Sequence, residues 1–238
     1  MISEAPRRPG GAVANRPLHF FWICDCSGSM AGARIQSLNN AIREAIPHMR
    51  EIAAENPTAQ VLIRALAFSD GAQWHIGNPT PVDEFTWRDL DAGGLTDMGI
   101  ALKQIAEQLK AMPEKGLPPV LVLVTDGVPT DDFKSGLNAI MAEPWGKKAV
   151  RIGIAIGDDA EDEVLKKFIG NPEIPPLQAQ NSEQLVRFIK WASTMTVQAA
   201  SSPASQTTAN GGTGNAPLVM PTNTVVVPSA GSADTDIF

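Results

Sequence analysis

Eleven residues, Phe20-Phe-Trp-Ile-Cys-Asp-Cys-Ser-Gly-Ser-Met30, constrain this chain more than any other stretch. Their first half is a run of large apolar side chains, which reads as a buried strand. It gives way abruptly to Asp25, Ser27, Gly28 and Ser29. A parallel strand that ends in such a polar turn is where α/β proteins place their ligands. Asp25, Ser27 and Ser29 alternate with Cys26 and Gly28, so three oxygen-bearing side chains can converge on one point. Hard cations such as Mg²⁺ take oxygen ligands in near-octahedral geometry. The stretch therefore reads as the core of a metal site.

The remaining pattern predicts alternating strands and helices. Leu18 to Cys24 is the first strand. Ile35, Leu38, Ile42, Ile46 and Met49 recur at helical spacing within residues 31–55. Pro47 is expected to kink or interrupt that helix, and Asn56-Pro57 to stop it. Gln60 to Phe68 is a second strand, turned at Ser69-Asp70-Gly71 into a short return strand, Ala72 to Ile76. Residues 77–93 read as an irregular connection over the core, with Trp87 its most conspicuous member. Thr96 is predicted to cap a helix from Asp97 to Met112. Val120 to Val124 is a continuous apolar run typical of a central parallel strand. A helix (Asp131 to Met141), a strand (Ala149 to Ile156), a helix (Ala160 to Phe168), a short strand near Leu177 and a helix (Ser182 to Ser193) complete the pattern. The expected fold is α/β: a doubly wound, mostly parallel six-stranded sheet in the order 3-2-1-4-5-6, with helices on both faces and one antiparallel edge strand. Residues 1–17 are expected to form a flexible lead-in, 18–196 the domain, and 197–238 a low-complexity tail.

Composition narrows the function. The apolar fraction of 43% suffices for a sizeable core, and the net charge of −7 argues against nucleic acid as a partner. No apolar run is long enough to span a membrane, and Met1 to Arg16 lacks the apolar core of a signal peptide. A cytoplasmic location is expected, with Cys24 and Cys26 as two buried free thiols. The tail contains no Lys or Arg, and Asp234 and Asp236 are its only acids. It is expected to be disordered when alone. Beyond an inert linker it offers two roles. Residues 218–227 could add a strand to a partner's sheet, or Thr222, Thr224, Ser229 or Thr235 could be phosphorylated.

In the expected sheet Asp25 and Asp126 both lie at carboxyl ends of strands. If those strands are neighbours, the two carboxylates face each other, and the return from the edge strand delivers Thr96 to the same rim. Asp25-x-Ser27-x-Ser29, Thr96 within Gly94-x-Thr96-Asp97-x-Gly99, and Thr125-Asp126-Gly127 resemble the metal-ion-dependent adhesion site of von Willebrand factor type A domains. The resemblance covers roughly residues 18–195. Within the family, the short and nearly solitary domain looks most like bacterial tellurium-resistance proteins of the TerY type. The resemblance implies a divalent cation, usually Mg²⁺ with Mn²⁺ or Ca²⁺ as alternatives, held by Ser27, Ser29 and Thr96. Asp25 and Asp126 would act directly or through water. Three neutral hydroxyls leave much of the ion's charge uncompensated, so an exposed coordination position would attract an Asp or Glu from a partner protein. TerY-type domains are associated at family level with Ser/Thr kinases and phosphatases.

Simpler roles exist for each residue. Asp25, Ser27 and Ser29 could merely cap the following helix, and Asp126-Gly127 could merely form a turn. Asp70 and Asp97 read as a turn residue and a first-turn helix acid. A metal-free adaptor acting through its surface and tail is the alternative function. A Mg²⁺-dependent phosphatase is third, but Ser27 stands where a dehalogenase-type enzyme would carry its second aspartate, and neither His19, His48 nor His75 is placed as a general base. The expectation is a binding module, not an enzyme.

Overall fold

The computed structural model describes residues 16–56, 59–157 and 162–201. Six strands form one sheet: β1 (Arg16–Asp25), β2 (Ala59–Ser69), β3 (Gly71–Pro81), β4 (Val120–Thr125), β5 (Val150–Ile156) and β6 (Leu177–Ala179). Their order is β3-β2-β1-β4-β5-β6, parallel throughout except for the antiparallel edge strand β3. Among the described residues six α-helices accompany them: α1 (Ala33–Glu55), α2 (Met98–Ala111), α3 (Phe133–Ala142), α4 (Pro144–Lys148), α5 (Asp162–Ile169) and α6 (Ser182–Ser201).

β1 lies at the centre because both of its faces are apolar. Leu18, Phe20, Trp22 and Cys24 pack in one core with Leu38, Ile42 and Met49 of α1 and Leu185, Phe188 and Ile189 of α6. Phe21 and Ile23 pack in the opposite core with Leu102 and Ile105 of α2 and Leu165 and Phe168 of α5. A strand covered on both faces reads as a continuous apolar run, as β1 and β4 do.

Several local expectations need correction. Pro47 does not interrupt α1, which runs unbroken through it. Pro47 is exposed, as is Arg43, the residue four positions earlier whose carbonyl loses its intrahelical donor, so the missing bond falls on the solvent side of α1. β3 extends to Pro81 rather than ending at Ile76. Its pairing slips between Ile63 and Leu66 of β2, and an edge strand tolerates Pro79 and Pro81. The irregular connection therefore starts at Val82. It is fastened to α1 by the buried Asn39, whose carboxamide donates to Leu90 O (2.9 Å) and accepts from Leu90 N (2.9 Å) and Trp87 Nε1 (3.0 Å). Arg50 adds bonds to the carbonyls of Val82 and Phe85. Trp87 thus holds the covering segment in place. α4 was not expected, and α6 runs past Ser193 and past the expected boundary at residue 196. β1 begins at Arg16, inside the expected lead-in. The rest of that lead-in, Ala160 and residues 202–238 lie outside the described residues.

Candidate metal centre

The parallel register sets the site. Asp25 ends β1 opposite Phe68 of β2, and Cys24 lies opposite Val124 of β4, so Asp25 and Thr125 finish adjacent strands side by side. Asp25 is fully buried. Its Oδ1 accepts from Ser27 N (2.8 Å) and its Oδ2 from Thr125 Oγ1 (2.5 Å). The chain then makes one 3₁₀ turn, Gly28–Met30, before α1. Gly28 N donates to Gly94 O (2.9 Å), which ties this turn to the loop carrying Thr96. A methyl group at Gly28 would already stand 3.4 Å from that carbonyl.

The oxygen atoms form a chain. Ser27 Oγ and Ser29 Oγ are 3.1 Å apart, and Ser29 Oγ donates to Asp126 Oδ1 at 2.8 Å. A Cβ placed on Gly127 would lie 3.8 Å from Ser29 Oγ and 4.0 Å from Thr96 Oγ1, so both hydroxyls border the same small space. Arg34 Nη1 reaches Asp126 Oδ2 at 2.5 Å. Asp25, Ser27, Thr96 and Asp126 are buried, while Ser29 is exposed. The structure brings all five predicted oxygen side chains to the carboxyl edge of the sheet.

The capping alternative does not describe them. Ser27 precedes the 3₁₀ turn without a side-chain cap bond, and Gly32 occupies the cap position of α1. Only Asp25 keeps a turn bond, to Ser27 N. Nor does Thr96 cap α2: Asp97 holds that position, also without a cap bond. The capping acceptor comes from another loop. Asp131 accepts from Gly99 N (2.7 Å) through Oδ1 and from Ile100 N (2.8 Å) through Oδ2. The Thr96 main chain is fixed by Thr130, whose Oγ1 accepts from Thr96 N (3.0 Å) and whose N–H donates to Thr96 O (2.9 Å). These bonds leave the Thr96 hydroxyl to the site. Asp70 accepts from Leu95 N (2.9 Å), and Asp97 accepts from Gly71 N (2.8 Å) and Thr130 Oγ1 (3.1 Å). Both carboxylates pin loops together.

Burial pushes the Asp25 carboxyl above the ordinary carboxylate range and the nearby Asp126 adds to this, against the bonds from Thr125 and Ser27. Two carboxylates held together under burial attract a cation, and the Arg34 guanidinium pairs with Asp126. Hydroxyls and carboxylates form a hard donor set that fits Mg²⁺, Mn²⁺ or Ca²⁺. Burial and the charges of Asp25 and Asp91 push the thiol of the neighbouring Cys26 up to about 12. Among the described residues no three His, Cys, Asp or Glu side chains gather into a metal-binding group, so the hydroxyls define this site.

The site has an apolar border. Among the described residues the exposed large apolar side chains are Leu95 (56%), Ile100 (39%) and Val128 (49%). Leu95 precedes Thr96, Val128 follows Asp126-Gly127, and Ile100 lies in the first turn of α2, bonded to Asp131. Leu95 and Val128 sit on the loops, and Ile100 on the helix start, that Thr130 and Asp131 stitch together.

The model of the von Willebrand factor type A domain family matches residues 21–191. No curated protein matches in sequence at a significant level. Solved structures resemble the fold at low identity. A von Willebrand factor type A structure from Catenulispora acidiphila is 17% identical with a TM-score of 0.58, over 78% of this chain and 43% of that one. The ArnB paralog VWA2 from Sulfolobus acidocaldarius is 16% identical with a TM-score of 0.55, over 75% and 45%. Proximal thread matrix protein 1 from the mussel byssus, solved with a zinc-occupied MIDAS motif, is 15% identical with a TM-score of 0.54, over 78% and 46%. The chain thus spans less than half the length of each of these structures.

Proposed function

Because the chain belongs to the von Willebrand factor type A domain family, we propose that it is a metal-dependent protein-interaction module whose bound ion is completed by a partner's carboxylate. The observation that carries this reading is the coincidence of two features at one sheet edge. Five oxygen side chains converge there, and the exposed large apolar side chains of the described residues border them. Apolar groups around a polar centre are what a protein interface needs.

Ser27, Ser29, Thr96, Asp25 and Asp126 would hold the ion, with Asp25 and Asp126 direct or through water. Mg²⁺ is the metal we favour; the byssus structure carries zinc in its motif. The ion, when bound, supplies the positive charge that attracts an Asp or Glu. The protein supplies position: Thr125 and Ser27 orient Asp25, and the Thr130 and Asp131 bonds hold Thr96 in place. We read the site as a latch without a chemical step. His19 lies near the start of β1, His48 pairs with Glu51 on α1, and His75 on β3 bonds Arg88 O. No described helix is long and apolar enough to cross a membrane, and the reading includes a cytoplasmic location. The narrower proposal, resting on the resemblance alone, is a TerY-type role in a bacterial stress-response or kinase and phosphatase system, with a Ser/Thr kinase or phosphatase as the partner. One observation favours the metal-free adaptor instead: Arg34 already supplies Asp126 with a countercharge.

The test is affinity capture from the source cell extract with and without EDTA, using wild type and Asp25→Ala. The reading requires a partner that is lost on chelation, restored by Mg²⁺ and absent with the variant. A partner retained under all conditions would replace the latch by the adaptor.

A further inference from the structure

The opposite end of the sheet holds a polar feature that the metal centre does not use. A cavity of about 350 Å³ lies between the start of β1, strands β2 and β3, and the C-terminal end of α2. Its polar lining includes His19, Arg64 and Gln108, while Leu62, Met112 and Pro113 contribute apolar walls. Among the described residues no carboxylate lines it.

His19 is 5% exposed, and its buried Nδ1 has no hydrogen-bond partner among the described residues. Nε and Nη1 of Arg64 are likewise buried without a hydrogen-bond partner. Both side chains flank the ring of Phe21: the guanidinium carbon lies 5.4 Å from its centroid, and the imidazole stacks at 6.3 Å. Along this face of the sheet the next positions of β1 and β2 are Phe21, Ile23, Leu66 and Phe68, all packed in the core against α2 and α5. Apolar side chains would continue that core. A buried donor without an acceptor is costly, and partial desolvation of the Arg64 cation adds to that cost. Burial and the charge of Arg64 lower His19 from 6.5 to about 4, so it stays neutral at pH 7.

We propose that this cavity binds a small organic monocarboxylate, its oxygens accepting from Arg64 and His19 and its apolar body lying against Leu62, Met112 and Pro113. The volume is at the lower end for ligand pockets, which selects a short-chain or single-ring acid. A phosphate dianion fits less well: one guanidinium and one neutral imidazole are few donors for it, and it has no apolar body to bury.

The experiment uses the full chain in EDTA, so that no carboxylate is drawn to a metal. Benzoate is the probe, with benzyl alcohol and inorganic phosphate as controls, and the His19 imidazole resonances are followed by NMR. Benzoate is expected to bind with a Kd below ~1 mM, and both controls at least about tenfold more weakly. The His19 titration midpoint should rise with benzoate, because a neighbouring anion favours the imidazolium. Arg64→Met should lose about tenfold or more in affinity, and Arg64→Lys should retain part of it. If Arg64→Met does not fold, Arg64→Lys and the titration carry the test. Equal binding of benzyl alcohol, tighter binding of phosphate, an unmoved His19 midpoint, or undiminished binding by a folded Arg64→Met would overturn the proposal.

Discussion

Asp25 pulls the molecule in two directions. It is fully buried with its charge opposed by burial and by Asp126, yet it receives two hydrogen bonds that favour the ionised form. Without a metal, that carboxylate is a cost. Asp25→Asn is therefore expected to be as stable as wild type in EDTA, or up to about 1 kcal/mol more stable, in urea unfolding. With Mg²⁺ at about 100 times its Kd, wild type should gain roughly 2.7 kcal/mol by mass action, and the variant nothing. A variant that loses stability in EDTA would show that Asp25 serves the fold and not the ion. The positions of Asp25, Ser27, Ser29, Thr96 and Asp126 at one edge were legible because each follows an apolar run or a glycine turn. Arg34, Thr130 and Asp131 were not, because their roles rest on contacts between residues 92, 34 and 32 positions apart. Nothing local to Asp131 says that it caps a different helix.

At the scale of elements, the rim depends on how closely α2 and α3 approach. A Cβ on Gly136 would lie 2.4 Å from Gly99 O, and one on Gly99 would lie 2.4 Å from Asp132 O. Backbone meets backbone there, so no flexible side chain can yield. Gly136→Ala would gain about 0.5–1 kcal/mol in helix propensity, but the overlap should outweigh this, giving a net loss of about 2 kcal/mol or more. Separating these helices also moves Asp131 away from Gly99 and Ile100, so metal affinity should fall with stability. Gly93→Ala is the control: an added methyl there meets nothing within 4 Å, and stability should change by less than about 0.5 kcal/mol. Thermal melts and metal titration of the two variants decide the matter. The element errors share a cause. The continuity of α1 through Pro47, the length of β3 and the five-residue α4 depart from local pattern because exposure, edge position and tertiary packing override propensity there. α4 is too short to show any period. Its Trp145 Nε1 donates to Pro113 O at 3.1 Å, a bond that spans 32 residues.

For the whole molecule, the order β3-β2-β1-β4-β5-β6 was legible because alternating strands and helices leave few topologies, and right-handed crossovers select among those. The same order places the parts of the site on unequal footings. Asp25 ends a ten-residue strand that is paired along its whole length to β2 and from Phe20 to Cys24 to β4. Thr96 and Asp126 belong to loops joined by a few side-chain and main-chain bonds. In hydrogen–deuterium exchange the amides of Trp22, Ile23 and Cys24 should open only with global unfolding, and those of Leu95, Thr96 and Thr130 through smaller local openings. Equal protection of the two groups would contradict this. On the proposed reading, the carboxylate beneath the ion would be as permanent as the fold, whereas the surface offered to a partner would loosen and re-form many times within the life of one folded molecule.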